Sequence, residues 1–273
     1  MAMKLLFLTL FSTVALTAQV SGLGSAWGVL NRAGDYSNNE TQCYTPNNVA
    51  ASNSNLVLTF QSQSATCGDS DHSSSGFSYT SGNVYWTSFS YQYGTLEFKG
   101  SISSGGTSAW PAIWMLGTNC QATWGQTADN KGSCSWPNAG SEEVDVMEYN
   151  PQNSTEGYNI YTSSGTYICT GPTKDSAVHT WQYIWTSTSS TWKRDGTSYC
   201  ATSNSNYRVN DPMWLIIQSA ARSGNSPVNH TVSLDYVKVT ASDGVTVLFY
   251  DDFTGATTAA GVSGSSIKGV SIK

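Results

Sequence analysis

Four of the chain's eighteen acids, Glu142, Glu143, Asp145 and Glu148, fall within seven residues, in a chain where only 11% of residues are charged. Val144, Val146 and Met147 are interleaved with them in the manner of a strand, and the β-branched residues agree. Side chains of a strand alternate faces, so Glu143 and Asp145 share one. Position 147 should follow them, but it is Met, and the acid comes one residue late. A β-bulge with Met147 as the extra residue returns Glu148 to the shared face and turns Val144 and Val146 to the core. The Cα atoms of Glu143 and Glu148 would then lie roughly 13 Å apart at ~3.3 Å per step. Each side chain reaches roughly 4 Å inward. The remaining gap of about 5 Å is near the carboxyl separation of a retaining glycosidase. Crowded carboxylates push their pKa values apart, so one can stay protonated while another is ionised. The alternatives are a surface patch or an acidic metal site, although three acids strung along a strand do not wrap an ion. Period 2 turns Glu142 outward, as a solvated carboxylate.

These acids need a scaffold, and the chain is large enough to build one. Its 273 residues are 39% hydrophobic, enough for one full core. Short β-rich runs at 56–60, 95–102, 181–186, 214–217 and 232–239 are split by Ser, Gly and Asn clusters. There is no long helical period and no internal repeat. The pattern predicts an all-β chain, a β-sandwich jelly roll. The net charge of −6 and the twelve Lys and Arg argue against nucleic acid and anionic membranes as partners. They suit a neutral ligand. Ten Trp and fifteen Tyr could fill the sandwich core, or stack on sugar rings whose C–H faces are apolar.

The chain opens with Lys4 and an apolar run over 5–16, about a dozen residues, too short for a bilayer and right for a signal peptide. We read 1–22 as that peptide, with cleavage between Ala18 and Ala26, 23–253 as the mature domain and 254–273 as a flexible tail. The mature chain is expected to be secreted and monomeric. Six cysteines in a secreted chain imply three disulfides out of fifteen possible connectivities. Sequence proximity favours Cys43–Cys67, Cys120–Cys134 and Cys169–Cys200. The spacings match no zinc pattern and the three His are scattered, so catalysis is expected to use no cofactor. Sequons occur at Asn39, Asn153 and Asn229.

Glu-x-Asp-x-x-Glu, here Glu143, Asp145 and Glu148, resembles the catalytic signature of glycoside hydrolase family 16. Its bulged form resembles the endo-β-1,3-glucanases, or laminarinases, of that family. Further stretches agree in order and spacing from about residue 36 to residue 239. Trp110, Pro111, Ala112, Ile113, Trp114, Met115 and Leu116 match the family's Trp-rich strand. Asn39, Glu40, Gln42, Tyr44 and Thr45 resemble its Asn-Glu-x-Gln-x-Tyr-Thr segment.

The resemblance implies a jelly roll with a concave substrate cleft. It makes Glu143 the nucleophile and Glu148 the acid/base, with Asp145 between them. Trp110, Trp114 and Trp136 become candidates for sugar stacking, against simple core packing. Asn39 becomes a candidate sugar-hydroxyl contact, unless Asn38 and Asn39 are only turn residues. A glycan on Asn39 would collide with that role, so Asn39 is expected to be unmodified. The resemblance also implies a structural calcium ion, with Asp235 as the candidate ligand.

Some features depart from the family. No Arg follows the pair Thr80 and Ser81, where Gly82 and Asn83 stand. Tyr161 is the nearest counterpart of a His common in laminarinases. Ser141 and Glu142 replace the usual single Gly before the first acid. The segment 247–253 resembles the family's opening strand, moved to the other end of the chain, and is expected to fill that position. The implied activity is hydrolysis of β-1,3-glucan, with mixed-linkage β-1,3-1,4-glucan as a second substrate. The alternatives are a galactan-active hydrolase and a non-catalytic β-glucan-binding protein.

Overall fold

The computed structural model describes residues 20, 22–35, 38–67, 76–103, 109–124, 134, 136, 141–223, 228–255 and 257–259. The expected signal peptide lies outside these apart from residues 20 and 22. The expected tail lies outside them apart from 254, 255 and 257–259. Among the described residues, no helix is long and apolar enough to cross a membrane.

Among the described residues the regular elements are strands and short 3-10 turns, arranged as a β-sandwich jelly roll. One sheet has seven strands in the spatial order Trp27–Val29, Asn83–Trp86, Met213–Ala221, Ala109–Gly117, Glu143–Glu148, Thr155–Thr162 and Gly165–Thr173. Every pairing in it is antiparallel. The larger sheet is built around Gly94–Ile102, which lies between His179–Trp185 and His230–Thr240. The core lies between the sheets, because one face of each is apolar. Leu96, Phe98, Trp181, Tyr183, Leu234 and Val237 enter it from the larger sheet, and Ile113, Met115, Val144 and Ile160 from the smaller.

The segment 247–253 adds Val247–Asp251 beside His230–Thr240 in the larger sheet. Phe249 and Phe253 are buried against Trp27. The Trp27 indole donates to Asp251 Oδ2 at 2.8 Å, which ties the two ends of the domain together. Three residues of the expected tail, Thr257–Ala259, pair in turn with Val247–Asp251.

The disulfides join Cys43 to Cys67, Cys120 to Cys134 and Cys169 to Cys200. The last ties the edge strand Gly165–Thr173 of one sheet to Thr197–Thr202 of the other. Asp235 lies on the larger sheet with Lys99 Nζ 3.4 Å away. Among the described residues no three His, Cys, Asp or Glu come together to hold a metal.

Candidate active site

The acids occupy Glu143–Glu148, hereafter the acid strand. It lies between Ala109–Gly117, the Trp strand, and Thr155–Thr162. Opposed residues of an antiparallel pair point to the same face. The register therefore draws three rows across the sheet. Leu116, Glu143, Tyr161 and Thr166 form one, and Trp114, Asp145, Asn159 and Ile168 the next. Ala112, Glu148, Gly157 and Thr170 form the third. All three acids thus face one way, as the alternation predicts.

The bulge is present, with a correction to its register. Met147 keeps its pairing with Ile113, and Val146 is the residue without a partner on the Trp strand. On the other side Val146 and Met147 together oppose Tyr158. Both are buried, so two consecutive residues point to the core, and this returns Glu148 to the row face. Trp192, reaching through the core, donates its indole N–H to the backbone oxygen of Asp145 at 3.0 Å and holds the bulge from behind.

The acid face lines a cavity of about 330 Å³. Trp136 donates its indole N–H to Glu143 Oε2 at 2.5 Å, and Trp110 donates to Glu148 Oε1 at 2.5 Å. Asn159 Nδ2 donates to both Asp145 Oδ2, at 2.8 Å, and Glu148 Oε2, at 3.1 Å. Gly157 leaves room for this arrangement. A Cβ there would sit 3.2 Å from Glu148 Oε2.

Burial raises all three carboxyls above their ordinary range, because a charged form loses its water. It pushes Glu143 up to about 7, against the hydrogen bonds from Trp136 and Asp145 that favour the anion. Asp145 is pushed well up by burial and by the charges of Glu148 and Glu143. Glu148 is raised by burial, while Trp110, Asn159, Lys174 and Arg222 favour its anion.

The tryptophans do something other than offer open stacking faces. Trp110, Trp114 and Trp136 are all buried. Trp114 and Trp136 pack with Trp124 into one aromatic cluster. The guanidinium of Arg222 lies 5.2 Å over the ring of Trp110. They are the cleft floor, and two of them spend their N–H groups on the acids. The exposed apolar groups at the rim are Tyr161 and Ile168, which sequence reasoning did not assign to sugar contact.

Asn39 is also corrected. It is exposed, takes the left-handed φ of 56°, and is absent from the cavity lining, which Asn38 joins instead. The turn reading of Asn39 holds, and its sequon no longer conflicts with the cleft. Asn153, the next sequon, does line the cavity.

The loop that carries Asn38 rests on a buried polar network. Glu40 Oε2 accepts from Asp35 N at 3.0 Å, Gln42 Nε2 at 2.8 Å and the Tyr44 hydroxyl at 2.8 Å. Arg32 pairs with Asp35 at 2.9 Å. Burial and the charge of Asp35 push Glu40 up to about 8. In the place of the family's Arg, Asn83 Nδ2 donates to Gln218 Oε1 at 3.2 Å.

No family model matches the chain. A β-glucanase of Rhodothermus marinus is 32% identical over 143 residues, which are 49% of this chain and 43% of that protein. The chain therefore matches less than half the length of that relative. LamA of Zobellia galactanivorans, solved in complex with laminaritriose and laminaritetraose, superposes with a TM-score of 0.65 at 23% identity. The superposition covers 78% of this chain and 91% of that one. A GH16 protein of a Bacteroides ovatus mixed-linkage glucan locus, solved with a G4G4G3G product, gives a TM-score of 0.58 at 17% identity over 79% and 94% of the two chains. The chain thus has the fold of these glucan-binding proteins, and its bulged acid strand resembles that of the endo-β-1,3-glucanases of glycoside hydrolase family 16.

Proposed function

We propose that the chain is a secreted endo-glycosidase that hydrolyses β-1,3-glucan with retention of anomeric configuration, and accepts mixed-linkage β-1,3-1,4-glucan. The observation that carries this reading is the row arrangement. Glu143 and Glu148 flank Asp145 on one face, each held by a tryptophan indole, at the floor of a cavity. A binding-only protein has no use for two carboxyls raised by burial and aimed at one place. The disulfides suit an oxidising compartment and so support secretion.

In the first step a Glu143 carboxylate oxygen attacks the anomeric carbon while the bond from that carbon to the leaving oxygen breaks. Glu148 gives its proton to that oxygen, so a shortened glucan leaves and a glycosyl ester on Glu143 remains. In the second step Glu148 takes a proton from water, whose oxygen attacks the same carbon and frees Glu143. Two inversions give net retention. Asp145, the acid with two charged neighbours, holds the proton of the central pair most readily and donates a hydrogen bond to Glu143. Glu143 is thereby left as the anion that nucleophilic attack requires. The indole of Trp136 keeps its second oxygen in place.

The experiment is reducing-sugar release from laminarin, barley mixed-linkage glucan, agarose and carboxymethyl-cellulose by the wild type and Glu143→Gln. Release from laminarin that disappears in the variant is the expected result, and the anomer first seen by NMR should be β. Release from agarose alone would keep the acids and overturn the substrate. No release from any polymer, with laminarin still retarding the protein in affinity electrophoresis, would make the chain a binding protein.

A further inference from the structure

Glu142 precedes the nucleophile of the proposed reaction, and alternation alone would leave it solvated. In the structure it is half-buried and takes a left-handed backbone conformation, with φ 48°. A residue with a Cβ adopts that conformation only when its surroundings impose it. Three contacts do so. Glu142 Oε2 accepts the backbone N–H of Asn210 at 3.0 Å and of Asp211 at 3.2 Å. Its own carbonyl oxygen accepts the N–H of Gly117 at 3.1 Å. Gly117 can approach this closely because it lacks a side chain; a Cβ there would lie 2.8 Å from Ser141 O.

Residue 142 is therefore fixed between the end of the Trp strand and the segment that leads into Met213–Ala221, which is the Trp strand's other neighbour. The next residue is Glu143. The backbone angles at 142 set the direction in which the acid strand leaves this junction, and so where the Glu143 carboxyl arrives beneath Trp136.

We propose that Glu142 is a positioning residue, whose carboxylate grips the 210–211 backbone and so holds the left-handed turn that aims Glu143 into the cleft. The role rests on the glucanase reading of the cleft for its kinetic consequence, but not for its structural one. Glycine reaches a positive φ without a carboxylate to hold it there. Gln keeps a carbonyl oxygen that can accept the two N–H groups. Ala has neither property.

The test compares Glu142→Ala, Glu142→Gln and Glu142→Gly with the wild type. Kinetics on laminarin are one readout, and hydrogen exchange of the peptide covering 141–147 is the other. For Ala, kcat should fall about tenfold with KM within about twofold, as a misplaced catalytic group costs rate more than binding. Its amides at 143 and 144 should exchange at least about tenfold faster, because a local opening becomes easier. Gln and Gly should each recover most of both losses. An Ala variant with wild-type kcat and exchange would overturn the proposal, as would a Gly variant as impaired as Ala. If Ala does not fold, Gln and Gly at a tenth of the wild-type rate or below overturn it. A wild type that releases no sugar would sink the glucanase reading instead, and the exchange rates would still decide the role of Glu142.

Discussion

Replacing Asn159 with Ala should shift the alkaline limb of the pH–rate profile upward. Asn159 Nδ2 donates to Asp145 Oδ2 at 2.8 Å and to Glu148 Oε2 at 3.1 Å, and both bonds favour the ionised acids. A hydrogen bond to a charged group contributes about 1.5–3 kcal/mol. Here one donor is shared between two acceptors, the Glu148 bond is the longer, and the cavity admits water in the donor's place. We therefore assign about half of that figure, about 0.75–1.5 kcal/mol, to Glu148. At about 1.4 kcal/mol per pKa unit, its pKa should rise by about half a unit to one unit.

The sign follows from the state that is lost. The bond stabilises the anion, so without it Glu148 keeps its proton to higher pH. A general acid that stays protonated longer extends activity on the alkaline side. The assay is kcat/KM for laminarin from pH 4 to pH 10, because that ratio reports the ionisations of the free enzyme. Asn159→Asp, which places a fourth carboxyl beside the same acids, should move the limb further in the same direction. An alkaline limb that stays in place or moves to lower pH in Asn159→Ala would refute the reasoning, whatever happens to the maximal rate.

Other outcomes follow from the same geometry. Glu148→Gln should lower kcat on laminarin by about 10²–10⁴-fold. It should lose far less on an aryl β-laminaribioside, whose phenolate leaves without a proton, whereas Glu143→Gln should be inactive on both. A chain ending at Asp243 lacks Phe249 and Phe253, both buried, and the Asp251 partner of Trp27. At about 3–5 kcal/mol for each buried Phe, the loss rivals the roughly 5–15 kcal/mol that holds a whole domain. A truncated chain that melts like the full one would show that the terminal strand is dispensable. Stability should also fall as pH rises. Glu40 is raised from 4.5 to about 8 in the fold. The folded state therefore holds a proton that the unfolded chain releases between these values. The melting temperature should be higher near pH 5 than near pH 8, and Glu40→Gln should flatten the slope; a melting temperature that rises across this range would contradict it.

The sequence by itself determined what depends on neighbours along the chain. Period 2 put Glu143 and Asp145 on one face, and the one-residue delay before Glu148 required a bulge. Three cysteine pairs close in sequence are the pairs that form. Alternating apolar runs separated by turn residues specified a β-sandwich. Each of these is local, because strand geometry repeats every two residues whatever the strand packs against.

The tertiary structure decided what depends on which strand lies beside which. Asn159 stands fourteen positions after Asp145 and meets it because their strands pair. Glu142 reaches an N–H group sixty-eight positions away. The tryptophans were visible as a composition, but only packing showed that two of them hold the acids while Trp114 fills a cluster. The sequence match singled out Asn39, but the turn's positive φ at Asn39 accompanies Asn38 at the cavity wall. A residue's type limits the bonds it can make, but its partners come from remote strands. Their register is set by burying the whole core at once, which no short stretch of the chain encodes.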